Sequence, residues 1–82
     1  MIIMLSVGQI KAARAFLSWS VNELAAQCGV GATTIRKYEM QDGLPSGTIK
    51  NLSAIKSCLE SNGIEFTGDP LKNPGVILHL DR

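Results

Sequence analysis

Two short helix signals held apart by Gly29-Val30-Gly31 restrict this chain more than any other feature. Ser20-Val21-Asn22-Glu23 fits a capping box: the serine hydroxyl accepts from the Glu23 N–H, and the glutamate side chain reaches back to the cap. Leu24, Ala25 and Cys28 supply the buried face of the helix that follows, of about two turns. Gly29 ends it, because glycine enters the left-handed cap conformation without a Cβ penalty. A third helix is expected from Ala32 to about Met40, with Gly31 a weaker N-cap than serine or threonine. Asp42-Gly43 and Pro45 stop it.

Residues 20–40 therefore have the spacing of a helix-turn-helix. Ala25 is small enough to let the two helices cross closely. Val30 plugs the angle between them, and Ile35 faces back into the core. Upstream, Val7 to Trp19 carries Val7, Ile10, Ala13, Phe16 and Leu17 on one helical face, with Lys11 and Arg14 elsewhere on the wheel. Downstream, Ser46 is expected to cap a helix from about Gly47 to Ser61. Its stripe is Ile49, Leu52, Ile55 and Leu59, and Asn62-Gly63 closes it.

After Gly63 the period changes. Ile64-Glu65-Phe66-Thr67 alternates as a strand does, and Val76 to Leu80 reads as a second strand. Gly68-Asp69-Pro70 and Asn73-Pro74-Gly75 are turn material, and the two prolines leave the path of that loop open. The expectation is a mainly α single domain over 1–82: a helical core at 7–62 and a C-terminal β-hairpin at 63–82.

With 82 residues the chain has room for one core. Its 45% apolar and 18% charged composition is that of a globular domain. The net charge of +1 excludes a polybasic coat, yet it is unevenly spread. Residues 1–56 hold six basic against three acidic side chains, and residues 57–82 hold two against four. The first two thirds can face a polyanion. Cys28 and Cys58 are too few for a disulfide framework and are read as buried, reduced thiols of a cytoplasmic protein. The apolar start at residues 1–5 is too short for a signal peptide and lacks a basic region, and no stretch is long enough for a membrane span. One histidine, His79, leaves no histidine-based triad or metal site. No nucleophile–base pair and no P-loop is present, so an enzyme is not expected, nor a cofactor.

On a wheel of about 100° per residue, Ile35 and Tyr38 point one way. Thr33, Arg36, Lys37 and Met40 point the other, with Ala32 at the margin. The outward set places a hydroxyl, a guanidinium and an ammonium on a rod that fits a major groove. Arginine or lysine can pair with guanine O6 and N7, and threonine can meet a thymine methyl. Arg14 and Lys50 are candidates for flanking phosphates, which position without reading sequence. Trp19 and Tyr38 are read as packing residues, Glu39 as the holder of a local bond or ion pair, and His79 as a strand surface residue.

Gln9 to Ser20 resembles the first helix of XRE-type, lambda-repressor-like helix-turn-helix proteins. Glu23-Leu24-Ala25, Gly29-Val30, Thr34-Ile35 and Glu39 match that family's motif in spacing and type. Asp42 to Ser46, the Ile49–Leu59 helix and Gly63 to Phe66 look like a bacterial subgroup with a strand after the last helix. The resemblance covers about residues 7–80 and implies a compact domain of four to five helices that binds operator DNA as a two-fold homodimer. By position, Ala32, Thr33, Arg36 and Lys37 would contact bases. Arg14, Asn22, Thr34 and Lys50 would contact phosphates. Val21 stands where the family often has glutamine, so Asn22 or a bare backbone N–H takes that phosphate.

Ile64, Phe66, Val76, Leu78 and Leu80, with the apolar residues 2–5, offer more apolar surface than a four-helix domain of this size needs. They are expected to pack on the helices and extend into a dimer interface, with β-pairing between subunits as one route. The leading function is an autoregulatory transcriptional regulator, repressor or activator. The alternative is an antitoxin-like or antirepressor-like module whose main partner is another protein.

Overall fold

In the computed structural model, which describes residues 5–81, the chain is mainly helical. Four helices, α1 (Val7–Phe16), α2 (Val21–Cys28), α3 (Ala32–Glu39) and α4 (Ile49–Ser61), are followed by an antiparallel pair of strands, β1 (Ile64–Thr67) and β2 (Gly75–Leu78). Residues 2–4 lie outside the described residues. The last of that apolar run, Leu5, is buried in the core.

Caps explain most of the helix boundaries. The Ser20–Glu23 capping box forms at α2, and Gly29 closes that helix at φ 72°. A second box, Ser6 with Gln9, starts α1. The α1 helix stops sooner than its apolar spacing suggested. Leu17 is the C-cap, Ser18 turns left-handed at φ 58°, and the Trp19 N–H folds back to the Arg14 carbonyl at 3.0 Å. Trp19 therefore packs against the core from a turn and not from a helix.

The α4 helix is capped by Thr48, whose hydroxyl accepts from the Asn51 N–H, and not by Ser46. The backbone at Gly47 lies against the Tyr38 ring, where a Cβ would collide, and the Ser46 N–H is taken by the Gln41 side chain. The chain turns helical only after this contact. Ile49 drops out of the expected stripe and is 74% exposed. It sits about 90° around the helix from the mean direction of Leu52, Ile55 and Leu59.

The core is built by Leu5, Ile10, Ala13, Leu24, Val30, Ile35, Tyr38, Ile55, Leu59 and Ile64, drawn from every helix and from β1. The strand register pairs Ile64 with Leu78 and Phe66 with Val76, so all four side chains share the face that meets this core. The strand β2 ends at Leu78, two residues before the expected end. The last rung is the His79 N–H donating to the Gly63 carbonyl at 2.8 Å, and Leu80 beyond it is 90% exposed.

Gln9 joins the hairpin to α1. Only 3% exposed, it donates from Nε2 to the Gly75 and Thr67 carbonyls at 3.0 and 3.3 Å, while its Oε1 accepts from the Ser6 N–H at 3.0 Å. Each polar atom of this buried amide has a partner, as burial demands.

Candidate nucleic-acid interface

The relation of α2 to α3 rests on three residues. Gly29 reverses the chain, Val30 is buried in the angle, and Ile35 is fully buried beneath α3. Gly31 caps α3 without a side-chain bond. This leaves Thr33, Arg36, Lys37 and Met40 exposed along one side of α3, with Ala32 half-buried at its margin. Thr34 is half-buried near Gly31.

The charge on that side is one-signed because of a contact on the other. Glu39 is the single acid of α3. Its carboxylate turns inward and is held by Arg14 through Nε–H to Oε2 at 3.0 Å and Nη2–H to Oε1 at 2.9 Å, with the Glu39 side chain only 9% exposed. Arg14 also donates from Nη1 to the Trp19 carbonyl at 3.0 Å. Three of the five guanidinium N–H groups are thus engaged within the fold, and the side chain stays 25% exposed. Arg14 ties α1 to α3, and Glu39 holds the ion pair expected of it.

Asn22 and Arg36 are brought together at the surface. The Arg36 Nη2–H donates to Asn22 Oδ1 at 2.9 Å, linking the start of α2 to the middle of α3. Asn22 keeps its Nδ2 to donate elsewhere, beside the first-turn N–H groups of α2. Sequence reading had both residues and missed their bond, which joins positions fourteen apart. Lys50 is exposed in the first turn of α4.

The residues expected at a dimer interface separate into two groups. Ile64 is 1% exposed inside its own subunit, and Phe66, Val76 and Leu78 lean on the same core. Ile64 cannot meet a partner without the hairpin leaving that core. Leu80 is at the surface. His79 is half-buried, with Nε2 2.6 Å from a Glu65 carboxylate oxygen.

Cys28 and Cys58 are both free and half-buried. Burial pushes the Cys28 thiol well above its ordinary range, and the neighbouring Cys58 thiol adds to the shift. Among the described residues there is no group of three metal-capable side chains, and no helix long and apolar enough to cross a membrane.

No protein-family model and no curated protein matches the chain.

Proposed function

We propose that this protein is a sequence-specific DNA-binding transcriptional regulator of the XRE, lambda-repressor-like type, without catalytic activity and acting in the cytoplasm. Its α3 would lie in the major groove of an operator with two-fold symmetry, bound by a homodimer. The supporting observation is the outward side of α3: Thr33, Arg36 and Lys37 stand exposed together while the helix's one acid is turned inward onto Arg14. Cations on a helix side that carries no acid of its own suit the negative potential of a duplex, and the guanidinium and ammonium suit guanine edges.

Ala32 would make apolar contact only. Asn22, Thr34 and Lys50 would position the domain on phosphates, with Asn22 donating from Nδ2 while its Oδ1 steadies Arg36. Regulation of its own promoter belongs to this reading. Leu80, almost wholly exposed, favours a second reading in which the main partner is another protein of antitoxin-like or antirepressor-like kind.

Selection of bound duplexes from a randomised library, at near-physiological salt with competitor DNA, tests the first reading. Enrichment of an inverted repeat with half-site centres about 10 bp or a multiple apart is the expected result. No enrichment from folded protein would overturn it in favour of the second.

A further inference from the structure

The hairpin has one edge whose backbone groups can be placed from the register. The His79 N–H to Gly63 carbonyl bond makes 63 and 79 a hydrogen-bonded pair. Antiparallel pairs alternate, so Glu65–Ile77 and Thr67–Gly75 are bonded pairs as well, while Ile64–Leu78 and Phe66–Val76 are not. The N–H and C=O groups of Val76 and Leu78 therefore point away from β1, toward the outer edge of β2. Short strands usually guard such an edge with a charge, a proline or a bulge. Gly75-Val76-Ile77-Leu78 has none of these.

The ground beside that edge is apolar too. The helix α1 packs along β2, whereas α4 packs along β1. Gln9, which bonds the end of β2, shares a helical stripe with Ala12 and Phe16 at i+3 and i+7. Ala12, Ala15 and Phe16 line a shallow apolar hollow on this helix, and Phe16 is exposed. Among the described residues, those that form the edge and line the hollow carry no formal charge, so they meet a copy of themselves without repulsion or the desolvation of an ion.

We infer that the outer edge of β2, together with the Ala12–Ala15–Phe16 flank of α1, is the docking surface for a second copy of this chain, joined by antiparallel pairing of β2 with the partner's β2. Self-pairing about a two-fold axis uses the same patch on both subunits. A register centred on Ile77 pairs Val76 with the partner's Leu78 and Leu78 with the partner's Val76. All four outward-pointing residues are then satisfied, and the two hairpins become one four-stranded sheet. Ile77, half out of the fold on the sheet's outer face, stacks on the partner's Ile77 at the axis. The inward side chains of Ile64, Phe66, Val76 and Leu78 stay on their own cores. This deepens the two-fold dimer of the proposed function and rests on that part of it, yet its test needs no DNA.

The test is sedimentation equilibrium of the full chain without DNA, up to about 200 µM, since an edge this short suits a weak association. The wild type is expected to show a reversible monomer–dimer equilibrium. Ile77→Lys places two ammonium groups across the axis while leaving each within reach of its own Glu65, the cross-strand neighbour. It is expected to weaken the dimer at least tenfold with unchanged circular dichroism and melting temperature, and Phe16→Lys is expected to do likewise. Amide hydrogen exchange supplies the register. The Val76 and Leu78 amides should be protected in the wild-type dimer and fast in the Ile77→Lys monomer, with the Ile77 amide slow in both. A wild type that stays monomeric throughout overturns the inference. So does a dimer indifferent to both lysines, or one in which Val76 and Leu78 exchange fast. A monomer that still selects an operator would leave DNA reading intact and defeat only this interface.

Discussion

The Arg14 guanidinium and the Glu39 carboxylate face each other in a two-point pair, at 3.0 and 2.9 Å, with the glutamate nearly closed off from water. One contact thus spans α1 and α3 and turns the only acid of α3 away from that helix's outward side. Pairs of this planar geometry are among the stronger ones at a protein surface, because both bonds are charge-assisted.

Arg14→Ala is expected to destabilise the fold by about 2 kcal/mol, since it leaves a mostly buried carboxylate without its partner and frees the Trp19 carbonyl. Urea denaturation measures this. Operator affinity per folded molecule should hardly change. A loss of affinity at unchanged stability would return Arg14 to the phosphate contacts.

Reading and positioning should separate on mutation. Arg36→Ala and Lys37→Ala are each expected to cost about 1–3 kcal/mol on the preferred site and to relax preference at one base pair. Lys50→Ala should weaken all sequences alike and lower the salt slope by about one. Asn22→Ala and Arg36→Ala should be non-additive, because the first releases the guanidinium that the second removes. Titrations of matched and single-mismatch duplexes across a salt series give all three results.

Gln9→Leu keeps similar bulk and removes an amide that serves three backbone groups: the Ser6 N–H and the Thr67 and Gly75 carbonyls. The expected loss is about 1 kcal/mol, because the Ser6 N–H loses its partner while the two carbonyls keep their strand-pair donors. Hydrogen exchange should quicken in β1 and β2 more than in α4, because Gln9 is the polar tie between α1 and the end of the hairpin.

Burial and the Cys58 thiol raise the Cys28 pKa above the ordinary value of 9.0. The unfolded thiol therefore gives up its proton first as pH rises. The stabilisation from Cys28 is complete below about pH 9 and is lost progressively above it. Melting temperature should fall on that alkaline side, and the fall should be smaller in Cys28→Ala. Alkylation of Cys28 in the folded protein near neutral pH should be much slower than in urea, since the reactive form is the thiolate.

Much of the fold was legible locally. The Ser20–Glu23 box, the Gly29 stop and the β1 alternation each depend on residues a few positions apart, and each appears where the pattern put it. The outward side of α3 followed from the wheel for the same reason. Boundaries failed where a distant group competes. Tyr38 against Gly47 delays α4 to Thr48, the Ser18 turn shortens α1, and the last rung at Gly63 leaves Leu80 outside the sheet. The apolar strand face packs on the helices as its alternation implied, with Ile64 in the core and Phe66, Val76 and Leu78 against it.

By itself, then, the sequence determined the capped α2–turn–α3 unit, the side of α3 that carries Thr33, Arg36 and Lys37, and a strand after α4. Only the tertiary structure decided that Arg14 belongs to Glu39, that Asn22 holds Arg36, and that Gln9 ties α1 to the hairpin. The physical reason is range. Caps and periodicity are set by backbone geometry within a turn or two. A charge or an amide finds its partner only once packing has brought segments far apart in the chain to within about 3 Å of each other.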